Sequence, residues 1–245
     1  MPLDLVDSEK KTRAAVKSFW SRRQHASRQQ RASGSGDRGE RSAVTAGKNM
    51  QGFHALVREL VRSDGLDSAT IQLQSVALTL PGYFRPTKRW DILVIDGQRL
   101  VAALEFKSHV GPSFGNNFNN RAEEAIGTAH DFWTAHREGA FGEIPRPFLG
   151  WLILVEDADR SRCPVRDRSP HFPVSREFEN ASYIERYHVL CKRLMLEHLY
   201  SAATAMTSPR TAIRNGRFGS FDDMTSLHTF ASTLAAHIAA AATRR

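Results

Sequence analysis

Cysteine is nearly absent from this sequence: Cys163 and Cys191 are the only two among 245 residues. A secreted disulfide scaffold would use more, so a reducing cytoplasm is the expected home. No CxxC pair and no Cys/His cluster offers a zinc frame. Long apolar runs are missing too. The opening MPLDLVDSEKKTR has no signal core, and the Ala-rich C-terminal segment is short and interrupted by His228 and His237, so no membrane span is expected. No internal repeat is visible. Acidic residues are in deficit, 26 against 34 Lys and Arg, for a net charge of +8. That balance favours a polyanionic partner, nucleic acid first and an anionic membrane surface second, against the plainer reading of a merely basic soluble protein. Hydrophobic residues at 41% and charged residues at 24% are enough to bury a core in one large domain or one and a half.

Along the chain, residues 4–20 carry a weak helical pattern ending in Phe19 and Trp20. Between Trp20 and Val44 alanine is the only apolar side chain. Arg22, Arg23, Arg28, Arg31, Arg38 and Arg41 face only Asp37 and Glu40. Such a segment cannot bury enough surface to fold alone, and reads as a linker or as a basic arm that orders on phosphates. From Gln51 the pattern tightens: Phe53, Leu56, Val57, Leu60 and Val61 recur at helical spacing. Strands are expected at 71–79, 91–95, 100–106 and 148–156, with an Asp96-Gly97 turn between the second and third. Helices are expected from Asn119 to about Arg137, from Tyr183 to about Met206 and from about Met224 to Ala242, with a long Arg- and Pro-rich loop at 157–176. Together these imply an α/β sandwich around a mixed sheet.

The sharpest chemical signal is RWDILVI followed by VAALEFKS. On a strand, side chains alternate between faces. Ala102, Leu104 and Phe106 therefore point to the core, and Glu105 and Lys107 point together the other way, roughly 7 Å apart at Cα. A carboxylate that holds a metal ion and an ammonium that reaches the same reaction centre need that spacing. Asp91 opens the partner strand and supplies a second carboxylate. Hard oxygen donors of this kind suit Mg²⁺. A Glu-x-Lys alone is usually a solvated ion pair. An Asp fourteen positions upstream, at the start of a strand that hairpins into it, is more specific and matches the PD-(D/E)xK nuclease pattern, with Trp90 in place of the Pro. Glu59, on the preceding amphipathic helix, is an additional candidate metal ligand, although helix glutamates of this kind more often face solvent.

The strings PGYFRPTKRWDILVI, EFKSHVGPSFGNNFNNRAEEA and DFWTAHREGAF resemble the XhoI family of type II restriction endonucleases, from about residue 50 to the C-terminus and into the basic N-terminal part. The resemblance implies a PD-(D/E)xK core, a central mixed sheet flanked by helices with additional helices, and a division into an N-terminal helix and basic arm (1–48) and a nuclease domain (49–245). It implies a bacterial, cytoplasmic homodimer that takes double-stranded DNA and Mg²⁺, recognises CTCGAG and cuts after the first C, leaving 5′-phosphate ends. Carried onto this chain, Asp91, Glu105 and Lys107 are catalytic, and Asp91, Glu105 and the Phe106 carbonyl hold the metal. Another PD-(D/E)xK nuclease, for repair or junction resolution, and a non-cleaving DNA-binding module are the alternatives; the intact Asp91, Glu105 and Lys107 argue against the latter.

DNA-contacting candidates follow from charge and hydrogen-bonding type. Arg85, Lys88 and Arg89 precede the catalytic strand and suit phosphate contacts. Asn116, Asn117 and Arg121 are of the types that read adenine and guanine, but Gly115-Asn116 also fits a turn and Asn120 with Glu123 a capping box. Arg160, Arg162, Arg166 and Arg168, with Arg176, lie in the 157–176 loop, among Asp157, Asp159 and Asp167; the loop reads as a recognition loop or a solvated one. His109, two residues after Lys107, is not expected to act as a base, because no second His stands at ligand spacing. The cysteines lack a His or Asp motif for thiol catalysis, and the tryptophans read as core or interface rather than an organic-cofactor box.

Strand parity adds a constraint. A two-residue turn at Asp96-Gly97 would pair Ile95 with Gln98 and set Asp91 opposite Ala102, on the face away from Glu105. A shared metal site therefore requires an odd-length connection or a bulge within 91–105.

Overall fold

The computed structural model describes residues 5–32, 50–63, 66, 70–72 and 77–244. A five-stranded mixed sheet lies at its centre, in the order β1-β4-β5-β6-β7. Its strands are β1 (Thr70–Gln72), β4 (Ile92–Asp96), β5 (Arg99–His109), β6 (Phe148–Glu156) and β7 (Ala202–Ser208). β1 and β4, and β4 and β5, pair antiparallel; β5, β6 and β7 pair in parallel. A separate two-stranded ribbon joins β2 (Thr79–Pro81) to β3 (Thr87–Arg89). This is the mixed sheet flanked by helices that the sequence implied.

Alternation divides the sheet's side chains between two cores. On one face Ile92, Val94, Ala102, Leu104, Phe106, Leu152 and Met206 pack against α1 (Leu5–Ala32), α2 (Gln51–Ser63) and α6 (Leu227–Ala242). On the other, Leu93, Ala103, Trp151, Ile153 and Ala205 pack against α3 (Gly115–Arg137), α5 (Tyr183–Leu196) and the β2–β3 ribbon. Strand β6 is buried at every position. That explains its unbroken apolar run, since a central parallel strand has no solvent face. α4 is a single turn, Asp159–Arg162. No helix of the described residues is long and apolar enough to cross a membrane.

Several boundaries differ from the sequence expectation. The helix expected over 183–206 ends at Leu196, and Ala202–Ser208 is strand β7. AATAMTS is buried in a parallel edge position and offers neither alternation nor the valine and isoleucine that mark a buried strand, so its pattern continues that of the helix before it. α3 starts at Gly115, with Phe114 at its N-cap, so the Asn120 capping box does not form. The segment expected as one strand at 71–79 contributes only the ends of β1 and β2. α1 runs past Trp20 to Ala32, so Arg22, Arg23, Arg28 and Arg31 lie on a helix and not on a loose arm. Arg38 and Arg41 lie outside the described residues. α1 is docked, not peripheral. Val16, Phe19 and Trp20 are in the first core, and Trp20 Nε1 donates to Ser208 Oγ at 2.9 Å. A Cβ on Gly52 would stand 2.6 Å from Ala15 Cα, so only glycine allows α1 and α2 this close.

Candidate active site

The β4–β5 hairpin resolves the parity conflict with a bulge. Asp96 pairs with Arg99 and Ile95 with Leu100, around a two-residue turn at Gly97-Gln98 in which Gly97 adopts φ 63. The turn is thus one residue later than Asp96-Gly97. Continued unbroken, that register would put Asp91 opposite Leu104, whose side chain faces the first core. Between Val94 and Ile95 the register slips: Val94 pairs with Ala102, Leu93 with Ala103 and Ile92 with Leu104. Val101 is the extra residue, and both it and Ala102 are buried in the first core. The slip sets Asp91, just before β4, opposite Glu105, on the face that α3 covers.

Asp91 sits where the ladder ends. Its N–H donates to Leu104 O at 3.2 Å, and its Oδ2 accepts from the Phe106 N–H at 2.7 Å. The carboxylate thereby takes the place of a further ladder bond. Burial pushes its pKa up, and the Phe106 amide and the Lys107 ammonium only partly offset this. Glu105 is 3% exposed. Its Oε1 receives Lys107 Nζ at 2.7 Å and Lys88 Nζ at 2.8 Å. Burial alone would raise its pKa, but the ammoniums of Lys107 and Lys88 outweigh it and hold the carboxyl below its ordinary value.

Glu105 Oε2 is buried and has no hydrogen-bond partner. An uncompensated carboxylate oxygen in the interior is costly. With the neighbouring Asp91 carboxylate lacking a direct cation contact of its own, the donor set fits a hard divalent cation. Among the described residues no third His, Cys, Asp or Glu joins them to hold a metal. Two carboxylates completed by water and phosphate suit Mg²⁺, which keeps much of its hydration. The Phe106 peptide follows Glu105 directly and reaches Asp91 through its N–H.

Lys88 is the residue whose role the sequence hid. It was expected to touch phosphate from ahead of the catalytic strand. Instead the β2–β3 ribbon carries it into the site, 13% exposed, with Nζ 4.9 Å from the Trp90 ring centroid. Glu124 of α3 completes the rim. Its Oε2 lies 3.8 Å from Lys107 Nζ and 2.5 Å from Arg121 Nη1, which draws Arg121 to the same place. Glu59 does not join. Strand parity puts Glu105 on the α3 side, whereas α2 covers the opposite face, and the Glu59 carboxylate pairs with Lys11 of α1. That expectation is corrected.

The parallel strands end at one edge, where His109, Glu156 and Ser208 are the last residues, close to Glu105 and Lys107. Around it, Asn116 is exposed and Asn117 Nδ2 donates to Ser113 O at 2.6 Å. Arg162 pairs with Asp157. Arg160, Arg166 and Arg168 are exposed and have no ion-pair partner among the described residues, and neither has Arg89 on β3. Asp167 is bound by Arg186. On the far side, Trp20, Arg23, Ser27 and Arg28 of α1 line a groove with Arg210. Arg85 braces its own loop: Nε donates to Asp131 Oδ2 at 2.8 Å, and Asp131 Oδ1 accepts from the amides of Tyr83 and Phe84.

His109 is the last residue of β5 and is 2% exposed. Its Nε2 lies 3.1 Å from Ser113 O. A carbonyl only accepts, so Nε2 carries the proton and Nδ1 accepts from Tyr187 Oη at 2.6 Å. Burial holds its pKa down at about 4. It is a neutral latch joining the end of β5 to Tyr187 of α5 and to Ser113.

Comparison with known proteins places the chain in a family. The model of the family described as restriction endonuclease XhoI matches residues 29–220. A type II restriction enzyme XhoI of Xanthomonas vasicola is 51% identical over 222 residues, 90% of this chain and 89% of that one. The type II restriction enzyme AbrI of Azospirillum brasilense is 61% identical over 176 residues, 72% of this chain and 79% of that one. BstVI of Geobacillus stearothermophilus, also a type II restriction enzyme, is 42% identical over 208 residues, 83% of this chain and 92% of that one. No solved structure matches. The chain belongs to the XhoI family of restriction endonucleases.

Proposed function

We propose that this protein is a type II restriction endonuclease with a PD-(D/E)xK core, which hydrolyses double-stranded DNA at CTCGAG after the first C. It acts as a homodimer in the bacterial cytoplasm, with one active site for each strand of the palindrome. Family membership supports the class of reaction. The observation that carries the site assignment is Glu105, with one oxygen held by Lys107 and the other buried and unpartnered, opposite Asp91.

Asp91, Glu105 and the Phe106 carbonyl would hold Mg²⁺, which when bound supplies Lewis-acid charge for a phosphodiester that gains negative charge on attack. The remaining work falls to the chain itself. Lys107 has three N–H donors. Anchored on Glu105 Oε1, it directs those that remain at an attacking water and at charge developing on the phosphoryl oxygens. Lys88 brings a second ammonium to the same point. Buried walls around Glu105 keep the local dielectric low and strengthen both interactions. Attack with loss of the 3′ oxygen leaves 5′-phosphate and 3′-hydroxyl ends. Arg89, Asn116, Asn117, Arg121, Arg160, Arg162, Arg166 and Arg168 surround the cleft as DNA contacts, phosphates holding position and base edges giving specificity.

The test is digestion of a plasmid with a single CTCGAG, in Mg²⁺ and in EDTA, by the wild type and by Glu105→Ala. Linearisation at that site by the wild type in Mg²⁺ alone is expected. Cutting by Glu105→Ala at the wild-type rate would overturn the site; fragments from elsewhere would overturn the sequence assignment.

A further inference from the structure

Three of the large hydrophobic side chains exposed among the described residues belong to one surface. They are Tyr83 (54% exposed), Phe84 (65%) and Ile126 (47%). Phe84 stacks on His130 of α3, with ring centroids 5.4 Å apart and planes within 17°. Tyr83 meets Phe84 edge-on at 4.9 Å. Ile126 stands one helical turn before His130 on the same face of α3. Beside it Gly127 opens a gap, since a Cβ there would have nothing within 4 Å. Glu123, one turn before Ile126 and Gly127, is exposed and has no ion-pair partner among the described residues. The aromatic end is rigid, because Asp131 holds both the Tyr83 and Phe84 amides. An ordered apolar strip of this kind marks a contact surface.

We propose that this face of α3 is the docking surface for a second copy of the chain, about a twofold axis that crosses α3 between Ile126 and Gly127. The inference rests on the homodimer reading above and names its interface. Charge decides against DNA as the occupant: the strip carries Glu123, and the guanidinium of Arg85, next to Phe84, is committed to Asp131. Self-complementarity decides for a second copy. Two antiparallel helices related by that axis set Ile126 over the partner's Gly127, where the missing Cβ allows close approach. The same operation brings Glu123 to the partner's His130, whose imidazole N–H donates to a carboxylate, and the axis generates each contact twice. Phe84 and Tyr83 then cover the partner's first turns of α3. On the adjoining flank of the same helix, Glu124 lies 3.8 Å from Lys107. Pairing through α3 therefore places one catalytic centre on each side of the axis, as two cuts in one palindrome require.

Sedimentation velocity on the full chain at low micromolar concentration tests this, together with circular dichroism to check folding. The wild type should sediment at twice 27.5 kDa. Ile126→Glu, at an exposed helix position, should be a folded monomer. Glu123→Lys and His130→Glu should each weaken dimerisation by about tenfold, and the double variant should recover most of that loss, the signature of a direct pair. The proposal fails if Ile126→Glu dimerises as tightly as the wild type, if the double variant is no better than the single ones, or if Ile126→Glu stays dimeric and loses DNA affinity instead. A wild type that is monomeric both free and on a CTCGAG duplex while cutting it would overturn the homodimer reading as well.

Discussion

Glu105→Gln and Asp91→Asn should abolish cleavage alike, yet change the stability of the metal-free protein in opposite directions. The Glu105 carboxylate neutralises Lys107 and Lys88, whose side chains are 20% and 13% exposed. Replacing it with an amide of the same volume leaves two ammoniums in a poor solvent for charge. Removing one partner of a fully buried pair costs about 3–5 kcal/mol. Residual exposure of the lysines lets water share the burden, and about 2 kcal/mol is the expected loss. Asp91 presents the reverse case: burial raises its pKa, so its charge at neutral pH costs the folded chain more than the unfolded one. Asparagine keeps an oxygen for the Phe106 N–H and removes the charge, so stability should hold or rise by about 1 kcal/mol. In a chain of this size each kcal/mol moves Tm by roughly 2–4 °C. In EDTA at neutral pH, Glu105→Gln should therefore melt about 4–8 °C below the wild type, and Asp91→Asn no lower than it. Urea unfolding gives the same comparison isothermally. Adding Mg²⁺ should stabilise the wild type by mass action and neither variant. An unchanged Tm for Glu105→Gln in EDTA, or an equal fall for Asp91→Asn, would refute the charge distribution argued for the site.

Lys88→Met should lower the cleavage rate at least tenfold with a smaller loss of stability than Glu105→Gln, read from single-turnover kinetics and melting; wild-type turnover would make Lys88 a bystander. Burial holds His54 and His109 near about 4 against the usual 6.5. The unfolded chain therefore binds their protons first, and stability should fall as pH drops from 6.5 to 4, by about 3 kcal/mol for each. Urea denaturation at intervals across that range checks it, with His54→Leu expected to remove about half of the slope. Asp131→Asn should speed hydrogen exchange at the Tyr83 and Phe84 amides by about tenfold or more and leave β6 untouched. Replacing Arg22, Arg23 and Arg28 of α1 together with alanine should weaken DNA binding and flatten its salt dependence without changing site preference; an unaltered salt slope would remove α1 from the DNA surface.

Much of the candidate site's geometry was legible because strand alternation is a local property. It put Glu105 and Lys107 on one face and Ala102, Leu104 and Phe106 on the other before any tertiary information was used. Parity also showed that the Asp-Gly turn and a shared site were in conflict, although which residue would bulge was not readable, since Val101 looks like any other strand valine. What failed was what depends on neighbours. Glu59 sits on a convincing amphipathic helix, but the side of the sheet that α2 covers is a matter of chain topology. Lys88 arrives from a ribbon outside the main sheet, and nothing in TKRW announces that its ammonium turns inward. AATAMTS acquires its strand character only from β6 beside it. The early start of α3 escaped because Gly115 and Asn116 favour turns when read alone, and a helix continuing behind them overrides that preference.

The bulge at Val101 also limits how this hairpin can change length. Removing one residue from the Gly97-Gln98 turn, or adding one, can be absorbed by smoothing or doubling the bulge, with hydrophobic residues still reaching both cores. Such a chain would fold and melt much like its parent. Where the bulge does not absorb the change, Glu105 and Lys107 turn together with Leu104 and Phe106, and the site is lost along with the first core. Single-residue insertions and deletions on the turn side of the bulge should therefore be tolerated, whereas those between the bulge and Glu105 should cost activity and stability together. There, paired length changes, which return every side chain to its own side, should be the ones that survive.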